Sequence, residues 1–195
     1  PSTRTKLSFD TAAKRLSADS LSISKSSSSI VKGETLIDTA KNLEAMNPDV
    51  IVLRHPSSGA AHLIAKRVRA SVINAGDGIH AHPSQALLDM MTVREKKGKI
   101  KGLKISIIGD IAHSRVARSD ITGFSKMGAH VFICAPGTMI PMGIENLGCT
   151  ISPNIETCIE GADIIMMLRI QKERQGNILF PTEREYAMLY GLNKA

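Results

Sequence analysis

Apolar positions along the chain follow two alternating rhythms. One repeats every three to four residues, the spacing of a helix face; the other is a run of about four or five, the length of a strand. The helical rhythm predicts helices over Thr5–Leu16, on Phe9, Ala12, Ala13 and Leu16, and over Thr35–Met46, on Leu36, Thr39, Leu43 and Met46. Asn47-Pro48 stops the second of these. The rhythm returns over Ala60–Val68, from Pro83 to about Lys97, and over Arg115–Met127, Ile155–Glu160 and Pro181–Tyr190. Pro83 suits a first helical turn, where its missing N–H costs nothing. Strands are predicted at Leu21–Ser24, Val50–Leu53, Ser71–Asn74, Lys104–Ile108, His130–Cys134, Cys149–Ser152 and Ile164–Leu168. Val50-Ile51-Val52-Leu53 is apolar throughout, which is expected of a parallel strand buried on both faces.

Strand and helix alternate on both sides of the polar, glycine-bounded connector Gly98-Lys99-Ile100-Lys101-Gly102. The expectation is therefore an α/β chain of two doubly wound domains with parallel sheets, over residues 1–98 and 99–195. In such sheets ligands bind beyond the carboxyl ends of the strands, so chemistry is sought in the loops that follow them.

Composition narrows the class. With 195 residues, 43% apolar and 22% charged, the chain is globular rather than disordered. No run approaches the roughly 18 apolar residues of a membrane span, and no signal-peptide succession opens the chain. The first residues, Pro1-Ser2-Thr3-Arg4, lack Met, and Ala195 follows directly on a helical pattern. Both ends read as cuts within a longer protein, leaving both domains incomplete. The net charge of +7 suggests anionic partners. Nucleic acid is disfavoured by dispersed cations and by the absence of Trp, with two Tyr and four Phe for stacking. Cys134, Cys149 and Cys158 show no C-x-x-C spacing and read as buried thiols in a reducing, cytoplasmic compartment.

Candidate chemistry gathers at helix starts and after strands. Ser2-Thr3-Arg4-Thr5 brings hydroxyls, backbone N–H groups and a guanidinium to a helix N-terminus, a phosphate site or a plain cap. Ser26–Ser29, followed by Lys32-Gly33-Glu34, is a linker or an anion-gripping loop. Arg54-His55 follows the strand Val50–Leu53, as a site residue or as a structural Arg. His80-Ala81-His82 lacks the further ligands a metal would need, and His82 and Gln85 open a helix, as site residues or as a capping pair. No G-x-G-x-x-G accompanies Gly109-Asp110, so a nicotinamide fingerprint is absent, and no phosphate-binding Walker sequence occurs. Arg115 starts the next helix, as an anion ligand or a surface residue. Arg169 and Gln171 follow the strand Ile164–Leu168 and, by alternation, point the same way; Arg169 suits a carboxylate, or simply begins a charged loop. Together these cations suggest a substrate, or a pair of substrates, carrying several negative charges.

Ser2-Thr3-Arg4-Thr5, Lys32-Gly33-Glu34-Thr35, Arg54-His55, His82-Pro83-Ser84-Gln85, Gly109-Asp110 and Arg169-Ile170-Gln171-Lys172-Glu173-Arg174 resemble, in order and spacing, the catalytic chains of the aspartate carbamoyltransferase family. The likeness runs essentially from end to end. Ser84 stands where Thr is common. The resemblance implies transfer of the carbamoyl group of carbamoyl phosphate to the amine of L-aspartate, an early step of pyrimidine biosynthesis, with no cofactor and no metal. It implies that Ser2, Thr3, Arg4 and Thr5 hold the phosphate and that Arg54, His82 and Gln85, with Thr5, contact the carbamoyl end. It assigns Arg115, Arg169 and Gln171 to the aspartate carboxylates, and sends Ser28 and Lys32 into a neighbouring subunit's site in a homotrimer. Regulatory chains or another enzyme of the pathway are candidate partners.

Two alternatives stand beside this reading. A truncated or inactive catalytic-chain homologue would act as an assembly module, a reading fed by the family segments missing before Ser2 and after Ala195. Ornithine carbamoyltransferase shares the first half, but Arg169 would repel a cationic amino acid and attract aspartate.

Overall fold

The computed structural model describes residues 3–23, 34–171 and 182–192. The chain forms two compact units, Pro1–Asp77 and Gly78–Ala195.

The first unit holds α1 (Thr3–Arg15), α2 (Leu36–Glu44), β1 (Val50–His55), α3 (Ala60–Ala65) and β2 (Ser71–Asp77). A capping box starts α2. The Thr35 hydroxyl accepts from the backbone N–H of Asp38, and the Asp38 carboxylate accepts from that of Thr35. The Thr35 hydroxyl, which also donates to the carboxylate, and this backbone bond hold the Asp38 carboxyl below its usual range. β1 and β2 pair in parallel, Val50 opposite Ser71 through Leu53 opposite Asn74. α3 packs on both strands and buries Ala60, Ala61 and Ile64 with Ala75 of β2.

Two expectations fail in this unit. Val50–Leu53 is not buried on both faces: burial alternates along β1, with Val50 and Val52 exposed. One six-residue helix lies on one side of the two-stranded sheet, and a period-2 chain then turns alternate residues outward. Leu21–Ile23 does not form the predicted strand. Leu21 and Ile23 are exposed, and Ser22 Oγ instead donates to Asp10 of α1 at 3.2 Å. So short a segment needs a neighbouring strand to complete its hydrogen bonds. Ser24 and the predicted loop Ser26–Lys32 lie outside the described residues.

The second unit holds α4 (Pro83–Lys97), β3 (Lys104–Ile108), α5 (Arg115–Lys126), β4 (His130–Cys134), 3₁₀ turns at Gly137–Met139 and Ile144–Leu147, β5 (Cys149–Ile151), α6 (Ile155–Ile159), β6 (Ile164–Met167) and α7 (Glu183–Tyr190). Its sheet is parallel throughout, in the order β5-β4-β3-β6. Ile105 and Ile107 of β3 face a core shared with Val93 of α4, Ile121 and Phe124 of α5, and Met139. Ile108 faces the other way, onto Cys134 and Cys158 of α6. Helices thus cover both faces of this sheet, and β3 is fully buried beyond its first residue. Each buried Ile contributes about 1.5–3 kcal/mol. Cys134, Cys149 and Cys158 are all free and buried. No helix among the described residues is long and apolar enough to cross a membrane.

Candidate active site

In the first unit the site is built where α1 begins and β1 ends. Thr3, Arg4 and Thr5 form the first turn of α1, at the positive end of its dipole. No acidic residue occupies that turn, and Arg4 is a cation where helix stability alone favours an anion. Arg54 lies near the end of β1, opposite a register break. Leu53 pairs with Asn74 but His55 pairs with Asp77, so β2 carries one extra residue across from Arg54. Gly76 in that bulge has φ +114°, a conformation open to glycine. Arg54 is the β1 residue that faces this break in register. Its Nη1 donates to Thr5 Oγ1 at 2.5 Å, joining two candidate residues 49 positions apart. A hydroxyl that accepts from a guanidinium becomes a stronger donor itself. Behind them Asp77, 2% exposed, accepts from the backbone N–H of Gly59 at 2.6 Å and from Asn74 Nδ2 at 2.9 Å, securing the turn after β1.

In the second unit the carboxyl ends of β3 and β6 meet where the strand order reverses, the crevice position of an open α/β sheet. Asp110, fully buried, organises it. Its Oδ1 accepts from the backbone N–H of His113 at 3.2 Å and lies 2.8 Å from His113 Nδ1, and its Oδ2 accepts from the backbone N–H of Gln171 at 3.0 Å. One carboxylate therefore ties the loop after β3 to the loop after β6. The Arg169 guanidinium reaches Gln171 Oε1 at 3.4 Å, so the two side chains do face the same way. Gly109 makes the arrangement possible: φ is +124°, and a Cβ there would stand 2.5 Å from the Leu168 carbonyl oxygen.

Arg115 is not a surface residue. It is 7% exposed and its Nη1 donates to the Gly78 carbonyl at 3.3 Å. His82 occupies the N-cap position of α4 without a side-chain cap; its ring Nδ1 lies 3.3 Å from Ser84 Oγ, and its backbone N–H donates to Ser119 Oγ of α5 at 2.8 Å. Gln85 Nε2 donates to Asp89 at 3.0 Å. Ser2, Ser28 and Lys32 lie outside the described residues. Among the described residues no three His, Cys, Asp or Glu side chains gather as a metal site.

Sequence reasoning quoted Gly109-Asp110 but missed the anchoring role of Asp110, and missed Asp77, Gly76 and Asp89 altogether. One signal was available. Of the helices of eight residues or more, α1, α4 and α5 carry candidate residues and have no acid in the first turn, whereas α2 and α7 carry none and have Asp38 and Glu183 with Glu185 there. A first turn stripped of carboxylates leaves its dipole for an outside anion.

The fold is that of an α/β protein with parallel sheets, and its strand ends and helix starts carry cationic side chains. Residues 1–95 match the family described as aspartate/ornithine carbamoyltransferase, carbamoyl-P binding domain. The chain is 79% identical over 193 residues to the aspartate carbamoyltransferase catalytic subunit of Desulforapulum autotrophicum, covering 99% of this chain and 62% of that one. It is 66% identical over 192 residues to the same subunit of Desulfosudis oleivorans, covering 98% and 62%. Among solved structures, aspartate transcarbamoylase from Trypanosoma cruzi in complex with aspartate and phosphate superposes with a TM-score of 0.81 at 31% identity, over 91% of this chain and 61% of that one. The catalytic subunit of M. jannaschii aspartate transcarbamoylase gives 0.78 at 38%, over 97% and 63%. Over residues 1–95 the chain carries the domain of that family, and it spans about 62% of the length of the curated relatives it matches.

Proposed function

We propose that the protein transfers the carbamoyl group of carbamoyl phosphate to the amine of L-aspartate, giving N-carbamoyl-L-aspartate and phosphate in the cytoplasmic synthesis of pyrimidines. The observation that carries this reading is the bond from Arg54 to Thr5, which gathers a guanidinium, a hydroxyl and an acid-free helix start. The identity of 79% to an aspartate carbamoyltransferase catalytic subunit supports it.

The aspartate amine attacks the carbamoyl carbon and negative charge grows on the carbonyl oxygen. Arg54, His82 and Thr5 donate to that oxygen, where preorganised donors stabilise charge most effectively. Ser2, Thr3, Arg4 and Thr5 hold the phosphate. Arg4 and Lys32 stabilise it as it departs with the bonding electrons, and the amine's proton is lost. Gln85 orients the carbamoyl end. Arg115, Arg169 and Gln171 take the aspartate carboxylates, Arg because its planar fork matches two oxygens. Ser28 and Lys32 serve a neighbouring subunit in a homotrimer. The carbamoyl-phosphate domain is residues 1–98 and the aspartate domain residues 99–195.

The test is carbamoyl transfer by the full chain, with aspartate and ornithine side by side, for the wild type and Arg54→Ala. Carbamoyl aspartate without carbamoyl ornithine is expected. Losing a charged hydrogen bond worth about 1.5–3 kcal/mol lowers kcat roughly ten- to a hundredfold in Arg54→Ala. Wild-type turnover in that variant removes Arg54 from the mechanism. A trimer without turnover on either amino acid favours an assembly module.

A further inference from the structure

The seam between α4 and α5 holds two carboxyl groups that the proposed mechanism does not use. Asp120, on α5, is fully buried, and neither of its oxygens meets a donor from any other residue type. Its neighbour across the seam is Asp89 of α4. The helices approach closely here. Gly123 lies one turn beyond Asp120, and a Cβ on it would stand 3.0 Å from Met90 Cε and 3.9 Å from Ala86 Cβ. One residue before Asp120, Ser119 Oγ accepts from the backbone N–H of His82. Asp89 also accepts from Gln85 Nε2 at 3.0 Å.

Two ionised carboxylates offer only lone pairs, so no hydrogen bond joins them without a proton. We infer that Asp89 and Asp120 share a single proton across the α4–α5 seam, and that this carboxyl pair holds Gln85 in position for its ligand. Asp120 carries the proton and donates it to Asp89; Asp89 keeps the charge and accepts from Gln85. The assignment to Gln85 rests on the proposed function; the shared proton does not.

Burial, with the charge of Asp89 second, pushes the Asp120 carboxyl up to about 8. Burial raises Asp89 as well, while its hydrogen bonds from Gln85 and Asp120 oppose that rise. Besides burial, the groups that act on Asp120 and Asp89 are Gln85 and each other, and none of them is a cation. In the unfolded chain Asp120 titrates near the ordinary value of about 3.9. Between that pH and about 8 the folded protein holds a proton that the unfolded chain has released, so stability falls as pH rises through this window and is level above it. Above about pH 8 the two charges face each other, and their repulsion moves the Asp89 carboxylate from the place where it meets Gln85.

Asp120→Asn keeps a donor at the same place and removes the titration. The experiment measures the melting temperature of the full chain, wild type and Asp120→Asn, from about pH 6 to about pH 9. The wild type is expected to lose stability relative to the variant as pH rises. Parallel curves overturn the shared proton, whatever the protein catalyses. In the same range the KM for carbamoyl phosphate should rise about tenfold in the wild type and stay level in Asp120→Asn, with the KM for aspartate little changed. At neutral pH, Asp120→Leu should show the raised KM that Asn rescues. Equal carbamoyl phosphate KM profiles in wild type and Asn variant overturn the positioning of Gln85. Absence of carbamoyl transfer in the wild type overturns the proposed function instead, and the melting curves still decide the proton.

Discussion

Replacing Gly109 with Ala adds one methyl group at the point where the loops after β3 and β6 cross. Two costs arise. The backbone there has φ +124°, a region that residues with a Cβ occupy at a cost of about 1–3 kcal/mol. The new Cβ would also stand 2.5 Å from the Leu168 carbonyl oxygen and 3.0 Å from Leu168 Cβ, whereas relaxed carbon contacts lie near 3.5–4.0 Å. The loop must give by about 1 Å, and overpacking of this kind costs about 1–3 kcal/mol. It cannot give freely, because Leu168 N–H donates to the Ile108 carbonyl at 2.7 Å and Gly109 N–H to that of Cys134 at 3.1 Å. Together the loss is about 2–6 kcal/mol, a large share of the roughly 5–15 kcal/mol that a domain has. Urea unfolding followed by circular dichroism measures it, since the chain has no Trp to report by fluorescence. Gly137→Ala is the control, because a Cβ there meets nothing within 4 Å and φ is not positive. A loss below about 1 kcal/mol for Gly109→Ala, or equal losses in the two variants, would refute the close-approach argument.

Asp110→Ala removes the shared acceptor of His113 and Gln171 and should cost about 3–5 kcal/mol, with a rise in the KM for aspartate of about tenfold and little change for carbamoyl phosphate; equal KM values in variant and wild type would detach Asp110 from aspartate binding. Thr35→Ala deletes the capping box and should cost about 0.5–2 kcal/mol, read as faster amide exchange confined to α2.

Most of the second unit's fold was legible because its signals are local. Lys104–Ile108, His130–Cys134 and the helix from Arg115 lie within a residue or so of their predicted bounds, since a buried parallel strand and an amphipathic helix each write their period into adjacent residues. The first unit was less legible for the same reason. Val50–Leu53 reads as fully buried by composition, yet burial depends on how many elements pack on the sheet, which no stretch of four residues encodes. Of the candidate site, Arg4, Thr5, Arg54, His82, Gln85, Arg115, Arg169 and Gln171 could be named from residue type and position at helix starts and after strands.

What the sequence by itself determined is therefore the alternation of elements, their parallel arrangement and the cations at their ends. All of these follow from periodicity, capping and charge within a few residues. Only the tertiary structure decided which of them meet. Thr5 reaches Arg54 across 49 positions because the fold sets the start of α1 beside the end of β1. Asp110 joins residues 113 and 171 because the strand order brings β6 beside β3. Asp89 and Asp120 became a pair because Gly123 lets two helices close on them. A contact between distant residues depends on register, crossing distance and desolvation, and those quantities exist only once the chain has folded.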